Sequence, residues 1–218
     1  MENEVSELAT GPKRKLLDAA LHVIRAQGYA GTTVDDICRE AGVTKGSFFH
    51  HFKGKDDLAV AATEHWTAVT GDMFASAPFR SIADPRKRVL AYIDFRASLI
   101  TGDLADFTCL LGTMVQETFS THPTLREACN LGIATHARTV EMDLSEAKRR
   151  YAPNASWSPY SVALFTQAAM QGAFILAKAQ NTPNVASEAI GHLRHYVASL
   201  LPTAERRSTS TAAKKRRH

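Results

Sequence analysis

The stretch from Thr33 to Leu58 constrains the fold more than any other part of this 218-residue chain. Its sequence is TVDDICREAGVTKGSFFHHFKGKDDL. Thr33 and Asp36 have the spacing of a capping box, which predicts the start of a helix. Gly42 permits the left-handed backbone of a sharp turn, and Thr44 is suited to cap a second, short helix. The stretch therefore predicts a helix–turn–helix, whose second helix enters the major groove of DNA.

The short second helix predicts one buried and one outward face. Phe48 and Phe52 are four residues apart and are expected to face inward. The outward or edge positions are Lys45, Ser47, Phe49, His50 and His51. Short side chains that donate hydrogen bonds, with a cation, at the N-terminal end of a helix suit contacts to base edges and phosphates. Lys53-Gly54-Lys55 follows at the start of the next helix, where backbone N–H groups and a lysine suit an anion. We interpret the stretch as a reader of DNA.

Several spaced positions support this interpretation together: Thr33 and Ile37, Ala41-Gly42-Val43, Gly46-Ser47-Phe48, His51-Phe52, and Lys55 and Leu58. Over residues 12 to 60 the chain closely resembles the N-terminal domain of TetR-family transcriptional regulators. The resemblance implies phosphate contacts by Thr33, Ser47, His51 and Lys55. It also implies that Lys45, with Thr44 and His50, approaches base edges. Where the family has a phosphate-contacting tyrosine this chain has Phe49, which lacks a hydroxyl and is expected to pack on sugar or a thymine methyl.

The rest of the chain shows helical spacing throughout and no sustained strand alternation, so the fold class is all-α, with about nine helices. We expect a disordered arm over residues 1–11 and a three-helix DNA-binding domain over 12–58. A helical effector-binding and dimerisation domain is expected over 59–202. Residues 203–218 are expected to form a disordered basic tail.

Charge is concentrated in that tail. From Ala204 onward it holds six Arg or Lys residues and one Glu, so it accounts for more than the whole net charge of +4. Bulk basicity is therefore no evidence that the folded part binds DNA. We expect removal of residues 204–218 mainly to lower non-specific DNA affinity.

Other classes of protein find little support in the sequence. The N-terminus has no apolar segment of the signal-peptide kind, and no window reaches the ~18 apolar residues of a membrane helix. Three cysteines without CxxC spacing argue for a reducing compartment, so a cytoplasmic location is expected. No phosphate loop, nucleophile elbow or metal-ligand spacing is present, so we expect no enzyme, cofactor or metal.

Two helices near the end of the chain carry apolar and small residues that suggest a homodimer. These are Ala169, Gly172, Ala173 and Ala177, and then Leu193, Val197 and Leu200. Intramolecular packing explains the same pattern equally well. A palindromic operator and the family resemblance favour a four-helix interface between two copies.

A ligand pocket is also implied by the resemblance. The candidate lining residues are bulky apolar groups with interspersed polar ones: Trp66, Phe95, Phe107, Cys109, Met114, Glu117, Phe165, Met170, Gln171 and Phe174. An ordinary core would have the same composition.

Cys109 has two possible roles. In the apolar segment around it the thiol would be buried and inert. Some electrophile-sensing members of the resembled family use a cysteine in a similar Cys-Leu-Leu-Gly setting beside a lysine of the penultimate helix. Lys178 is in a position to be that lysine, which would favour the thiolate. Release from DNA by electrophiles would then be lost in Cys109→Ser.

Together these features predict a sequence-specific, homodimeric DNA-binding regulator, a repressor released by a small molecule. The alternatives are a repressor that senses electrophiles through Cys109, a ligand-independent architectural DNA-binding protein, and a helical ligand carrier with a vestigial head. We expect Lys45→Ala to lose sequence discrimination and Lys55→Ala to weaken binding to all DNA.

Overall fold

The computed structural model describes residues 11–203, which form ten α-helices and one 3-10 helix and contain no β-strand. In chain order these are α1 (Pro12–Gln27), α2 (Val34–Ala41), α3 (Lys45–His51), α4 (Lys55–Ser76), the 3-10 helix (Pro78–Ser81), α5 (Pro85–Ser98), α6 (Leu104–Phe107), α7 (Leu110–Thr118), α8 (Pro123–Tyr151), α9 (Pro159–Gln180) and α10 (Asn184–Leu200). The all-α prediction is confirmed. The expected arm and basic tail lie outside the described residues, apart from a residue or two at the junctions.

Local signals explain most helix boundaries. Thr33 and Asp36 form the predicted capping box at the start of α2. Thr44 accepts a hydrogen bond from the Ser47 N–H at the start of α3, and Asp84 accepts one from the Lys87 N–H at the start of α5. These side chains satisfy backbone donors that a helix end leaves without partners.

The segment from Leu104 to Phe119 differs from the single apolar helix that its composition suggests. It is divided into α6 and α7 by Thr108 and Cys109, both in extended conformation. Asp103 and Asp106 form a capping box that starts α6, and Cys109 is the N-cap of α7. This extra break accounts for ten helices where about nine were expected.

The described chain divides into two compact units. The first comprises the described residues up to 75, then 101–135 and 178–182, and the second comprises 76–100, 136–177 and the described residues from 183. In the first unit one continuous apolar cluster joins α1 to α4 with α7 and the start of α8. Its fully buried large side chains are Leu16, Ile24, Ile37, Phe48, Leu58, Leu110, Met114 and Leu125. The expected boundary after Leu58 therefore does not coincide with a break in packing.

In the second unit, α5 packs against α10 and against the 3-10 helix. Ion pairs add to its apolar core: Arg88 Nε donates to Asp143 at 2.8 Å, and Arg80 Nη1 donates to the other Asp143 oxygen at 2.7 Å. Arg80 and Arg88 thereby join the 3-10 helix and α5 to α8. Among the described helices, α9 is long and apolar enough to cross a membrane, a property that core helices share.

Candidate DNA-binding site

The turn between α2 and α3 sets the direction of the short helix. Gly42 has φ 63° and ψ 37°, the left-handed conformation that a side chain disfavours. Val43 N–H then bonds to the Cys38 carbonyl at 3.0 Å and closes the turn. Phe48 is fully buried and Phe52 is 4% exposed, so the two aromatic rings fix α3 on the core of the first unit.

The opposite face of α3 is accessible. Thr44, Lys45, Phe49 and His50 are exposed, and Ser47 and His51 are half-buried. The Phe49 ring is 58% exposed, although it touches Phe48 edge-on with 5.2 Å between centroids. Six of the predicted DNA contacts thus lie on one short helix and its cap.

Lys45 has a partner that the sequence analysis missed. Its ammonium lies 2.7 Å from the carboxylate of Asp35 in the first turn of α2, and both side chains are more than half exposed. The hydrogen bond and charge of Asp35 raise the pKa of Lys45. No local spacing rule links these two residues, because the turn at Gly42 brings them together. A base or phosphate would compete with Asp35 for this lysine.

His50 and His51 lie side by side, with ring centroids 4.8 Å apart. Burial, followed by the nearby charges of His50 and Lys13, lowers the pKa of His51. Lys13 itself lies 5.9 Å from the centre of the Phe52 ring. The first helix therefore contributes a cation to the same edge of the site.

Thr33 and Lys55 already have hydrogen-bond partners within the DNA-binding head, the three-helix domain of residues 12–58. The Thr33 hydroxyl donates to Asp36 at 2.6 Å, and this bond, together with the Thr33 N–H and Arg39, lowers the pKa of Asp36 to about 2. Lys55 Nζ donates to the carbonyls of Tyr29 and Thr32, both at 3.0 Å. Both residues therefore stabilise the head itself, and their phosphate contacts stay predictions.

Comparison with known proteins agrees with this geometry. Residues 16–62 match the family of bacterial regulatory proteins, tetR family, and residues 85–193 match the tetracyclin repressor-like C-terminal domain. The chain belongs to the TetR family. Proteins of this family are transcriptional regulators that bind DNA through the helix–turn–helix.

Individual TetR-family relatives are distant. The transcriptional regulator LmrA of Bacillus subtilis is 28% identical over 137 residues, which are 62% of this chain and 71% of LmrA. Several other curated regulators match over less than half of their own length. A TetR regulator of Chloroflexus aurantiacus superposes with a TM-score of 0.74 and 25% identity, covering 86% of this chain and 94% of its own. The reduced form of Escherichia coli NemR has a TM-score of 0.72 at 21% identity, covering 84% and 95%.

The residues predicted to line an effector pocket divide between the two units of this TetR-family chain. Trp66, Phe107, Cys109, Met114 and Glu117 belong to the first, and Phe95, Phe165, Met170, Gln171 and Phe174 belong to the second. Two of these residues, Glu117 and Phe165, have contacts that differ from those expected of a pocket lining. Glu117 is bonded to backbone N–H groups of the head, and Phe165 is 46% exposed against the ring of Tyr196.

The second unit holds a set of hydrogen-bonded, mostly buried polar side chains that local sequence spacing did not predict. The Tyr92 hydroxyl is 2.8 Å from His136 Nε2, and Gln167 Nε2 donates to the same hydroxyl at 3.3 Å. Gln167 also donates to the Thr166 hydroxyl at 3.2 Å. These residues come from α5, α8 and α9, so only the tertiary structure assembles them.

The predicted dimer residues require a correction. Ala173, Ala177, Leu193 and Val197 are all at most 3% exposed within one copy, so they pack inside the protomer. Ala169, Gly172 and Leu200 are half-buried. The accessible apolar side chains on the same two helices are different ones, namely Leu164, Phe165, Ile175, Leu176 and Tyr196.

Within residues 11–203, no group of three or more His, Cys, Asp or Glu side chains is placed to hold a metal ion. Cys38 and Cys129 are buried and Cys109 is half-buried. Burial raises the pKa of Cys129 to about 12, which keeps that thiol protonated.

Proposed function

We propose that this TetR-family protein is a homodimeric repressor that binds a palindromic operator and is released by a small-molecule effector. The observation that carries the proposal is the exposed face of α3, where Thr44, Lys45, Phe49 and His50 follow the left-handed turn at Gly42. Membership of the family supports both the dimer and the effector, and is consistent with a cytoplasmic protein without catalytic activity.

The mechanism that we propose acts through the separation of two heads. Each head would read one half-site, and an effector would favour the arrangement whose separation does not fit the operator. A 100-fold preference for that arrangement corresponds to about 2.7 kcal/mol, which is enough for release. The buried set of Tyr92, His136 and Gln167 supports an effector site in the second unit, since pockets place a few polar groups among apolar ones.

Selection from a random pool of DNA duplexes tests the reading function. Full-length protein is expected to enrich a palindrome, and Lys45→Ala is expected to relax the preference at one or two positions of each half-site. A base contact of this kind corresponds to roughly 1–3 kcal/mol. Lys87→Ala is the matched control, because Lys87 is an exposed lysine in α5 of the second unit. Identical preferences in the wild type and in Lys45→Ala would contradict the assigned role of Lys45.

Repression and effector release require their own measurement. A reporter gene placed behind the selected palindrome is expected to be silenced by the protein. Compounds that raise the melting temperature of the protein are then expected to restore transcription. Activation of the reporter by the protein would contradict the repressor assignment while leaving the DNA-binding assignment intact.

A second candidate trigger is modification of Cys109 by an electrophile. Lys178 Nζ donates to the Thr113 hydroxyl at 3.1 Å, and Thr113 donates to the carbonyl of Cys109 at 3.0 Å. Lys178 is partly buried near the half-buried Cys109 thiol, and desolvation lowers the pKa of Lys178. Escherichia coli NemR, one of the structural neighbours, has been crystallised in a reduced form.

The chemistry of this trigger is addition of the Cys109 thiolate to an activated double bond, with water protonating the adjacent carbon. Treatment with N-ethylmaleimide is expected to release the wild type from the selected duplex. Peptide mass spectrometry is expected to find the adduct at Cys109, with Cys38 and Cys129 as buried internal controls. Full release of Cys109→Ser by the same reagent would exclude this trigger.

A further inference from the structure

The turn that joins α1 to α2 is held by a carboxylate from far along the chain. Glu117 in α7 accepts the Tyr29 N–H on Oε1 at 3.2 Å and the Ala30 N–H on Oε2 at 2.7 Å. Two donors on one carboxylate make a charge-assisted, two-pronged contact, which is stronger than hydrogen bonds between neutral groups. Glu117 thereby joins α7 to a turn 88 residues earlier in the chain.

Gly28 makes this approach possible. Its φ is 84°, and a Cβ at this position would lie 2.6 Å from Glu117 Oε1. Any larger residue would therefore meet both a disfavoured backbone conformation and the carboxylate. The absence of a side chain at Gly28 therefore leaves space for the Glu117 carboxylate beside the turn.

Tyr29 connects the carboxylate to the DNA-binding helices. Its ring is buried, and the Lys55 ammonium lies 4.3 Å from the ring centre while donating to the Tyr29 and Thr32 carbonyls. The Tyr29 hydroxyl donates to Asp56. Because Thr32 leads into α2 and Lys55 begins α4, the position of Tyr29 fixes both helices.

His122, at the junction of α7 and α8, contacts the same tyrosine. The His122 and Tyr29 rings meet edge to face with 5.5 Å between centroids, and His122 Nε2 is 3.7 Å from Asp56 Oδ2. Both ends of the α7–α8 junction thus meet the head at Tyr29 and its neighbours.

We propose that Glu117 is a positioning residue through which α7 sets the orientation of the helix–turn–helix on DNA. The inference rests on the proposed function, because it names what holds the reading surface in its binding geometry. Glu117 orders Tyr29, and Tyr29 orders Lys55 and the start of α2. A displacement of α7 reaches the reading helix through these bonds.

The sign of the effect separates positioning from simple electrostatics. A carboxylate that lies against the head repels DNA phosphates, so its removal should by itself tighten DNA binding. If Glu117 positions the head, its removal weakens DNA binding despite the gain in net positive charge. The two explanations therefore predict opposite changes in Kd.

The experiment compares full-length wild type, Glu117→Ala and Glu117→Gln with Glu188→Ala, which removes an exposed glutamate of α10. The probe is the duplex that the wild type selects from a random pool. Two quantities are measured: the Kd for that duplex over a range of salt concentrations, and hydrogen–deuterium exchange of the peptide spanning residues 28–34. Far-UV circular dichroism checks that each variant is folded.

Glu117→Ala is expected to weaken binding about tenfold and to speed exchange at Tyr29 and Ala30 by a similar factor, as expected for a lost charge-assisted bond. The magnitude of its salt slope is expected to fall by up to about one, because Lys55 loses its fixed position. Glu117→Gln is expected to be intermediate, since its amide oxygen accepts one of the two N–H groups. Glu188→Ala is expected to match the wild type.

Unchanged or tighter DNA binding by Glu117→Ala would overturn the proposal, even if exchange became faster. Should the alanine variant fail to fold, the same comparison applies to Glu117→Gln. If the wild type selects no duplex, the proposed function fails, and the exchange measurement still decides whether Glu117 orders the turn. Unchanged exchange in that case would overturn the inference as well.

Discussion

Lys45 forms an exposed ion pair with Asp35, and the proposed DNA contact of Lys45 would compete with that pair. Their side chains are 61% and 56% exposed, so water screens the pair strongly. Exposed pairs of this kind contribute only about 0–1 kcal/mol. We therefore expect the pair to give way readily to a phosphate or a base edge, and Asp35 mainly to lower the affinity for DNA in general.

Asp35→Asn is expected to tighten binding to both the selected duplex and a scrambled one, by about two- to fivefold at low salt. The reason is that Lys45 becomes free and one negative charge leaves the site. The Kd of each duplex is measured against salt concentration. Asp94→Asn is the control, since Asp94 is an exposed acid paired with Arg194 in the second unit. Weaker binding by Asp35→Asn would mean that Asp35 orients Lys45 instead.

His136 makes the stability of the second unit depend on pH. Burial, followed by the charges of Arg96 and Arg80, lowers the pKa of His136 from 6.5 to about 3. Below pH 6.5 the unfolded chain takes up a proton that the folded state excludes, so stability is lost as pH falls from 6.5 towards 3. At pH 5 this loss is at most about 2 kcal/mol.

Urea unfolding at pH 7.5 and pH 5.0 checks this expectation. The wild type is expected to lose about 2 kcal/mol more than His136→Gln over this interval. Glutamine is suited as the comparison because its amide can still bond to the Tyr92 hydroxyl. Equal losses in both proteins would show that His136 is protonated in the folded state.

Among the structural elements, the α2–α3 turn requires glycine at position 42 because of its backbone conformation alone. A Cβ at Gly42 would meet nothing within 4 Å, so only its positive φ disfavours other residues. Gly28 has a different backbone conformation, with φ 84° and ψ 165°, which is nearly restricted to glycine, and the approach of Glu117 adds to the cost of a side chain there. The two turns of the head therefore need glycine for different reasons.

Gly42→Ala is expected to lower the free energy of unfolding by about 1 kcal/mol, and Gly42→Asn by less, because asparagine tolerates the left-handed region. Gly28→Ala is expected to cost more than Gly42→Ala. Gly54→Ala is the control, since Gly54 has neither a positive φ nor a close neighbour. Thermal or urea unfolding measures all four. Equal losses at Gly28 and Gly42 would contradict the larger cost expected at Gly28.

At the scale of the whole molecule, a single copy leaves the exposed apolar face of α9 without an explanation. Leu164, Phe165, Ile175 and Leu176 recur at helical spacing on one face, and all are at least 38% exposed. Gly172 lies on the same face with no atom within 4 Å of a built Cβ. These residues are the surface on which we place the proposed dimer contact.

Leu176→Glu is expected to convert the dimer to a monomer, because it places a charge in the centre of an apolar contact. Size-exclusion chromatography with light scattering measures the mass, and the affinity for the palindrome is expected to fall at least tenfold when one head binds alone. Met142→Glu is the matched control, since Met142 is 65% exposed on α8. Dimeric Leu176→Glu protein would place the interface elsewhere.

The sequence alone determined the features that depend on near neighbours. Thr33 with Asp36, Gly42 and Thr44 act within one helical turn, so the helix–turn–helix and its outward residues could be predicted from spacing. The helices α1, α5, α8 and α9 each begin at a proline, a residue suited to the first turn of a helix. The break between α6 and α7 was missed because an apolar run does not reveal an extended pair within it.

Only the tertiary structure decided which residues meet across the chain. It places Asp35 on Lys45, Glu117 on Tyr29 and Ala30, and Tyr92 beside His136. It also turns Ala173 and Leu193 inward and leaves Phe165 and Leu176 exposed. Amphipathic spacing shows that a helix has an apolar face. When a second face of the same helix is also apolar, spacing does not show which of the two faces is buried within the protomer. That choice depends on neighbouring helices, whose positions no local pattern contains.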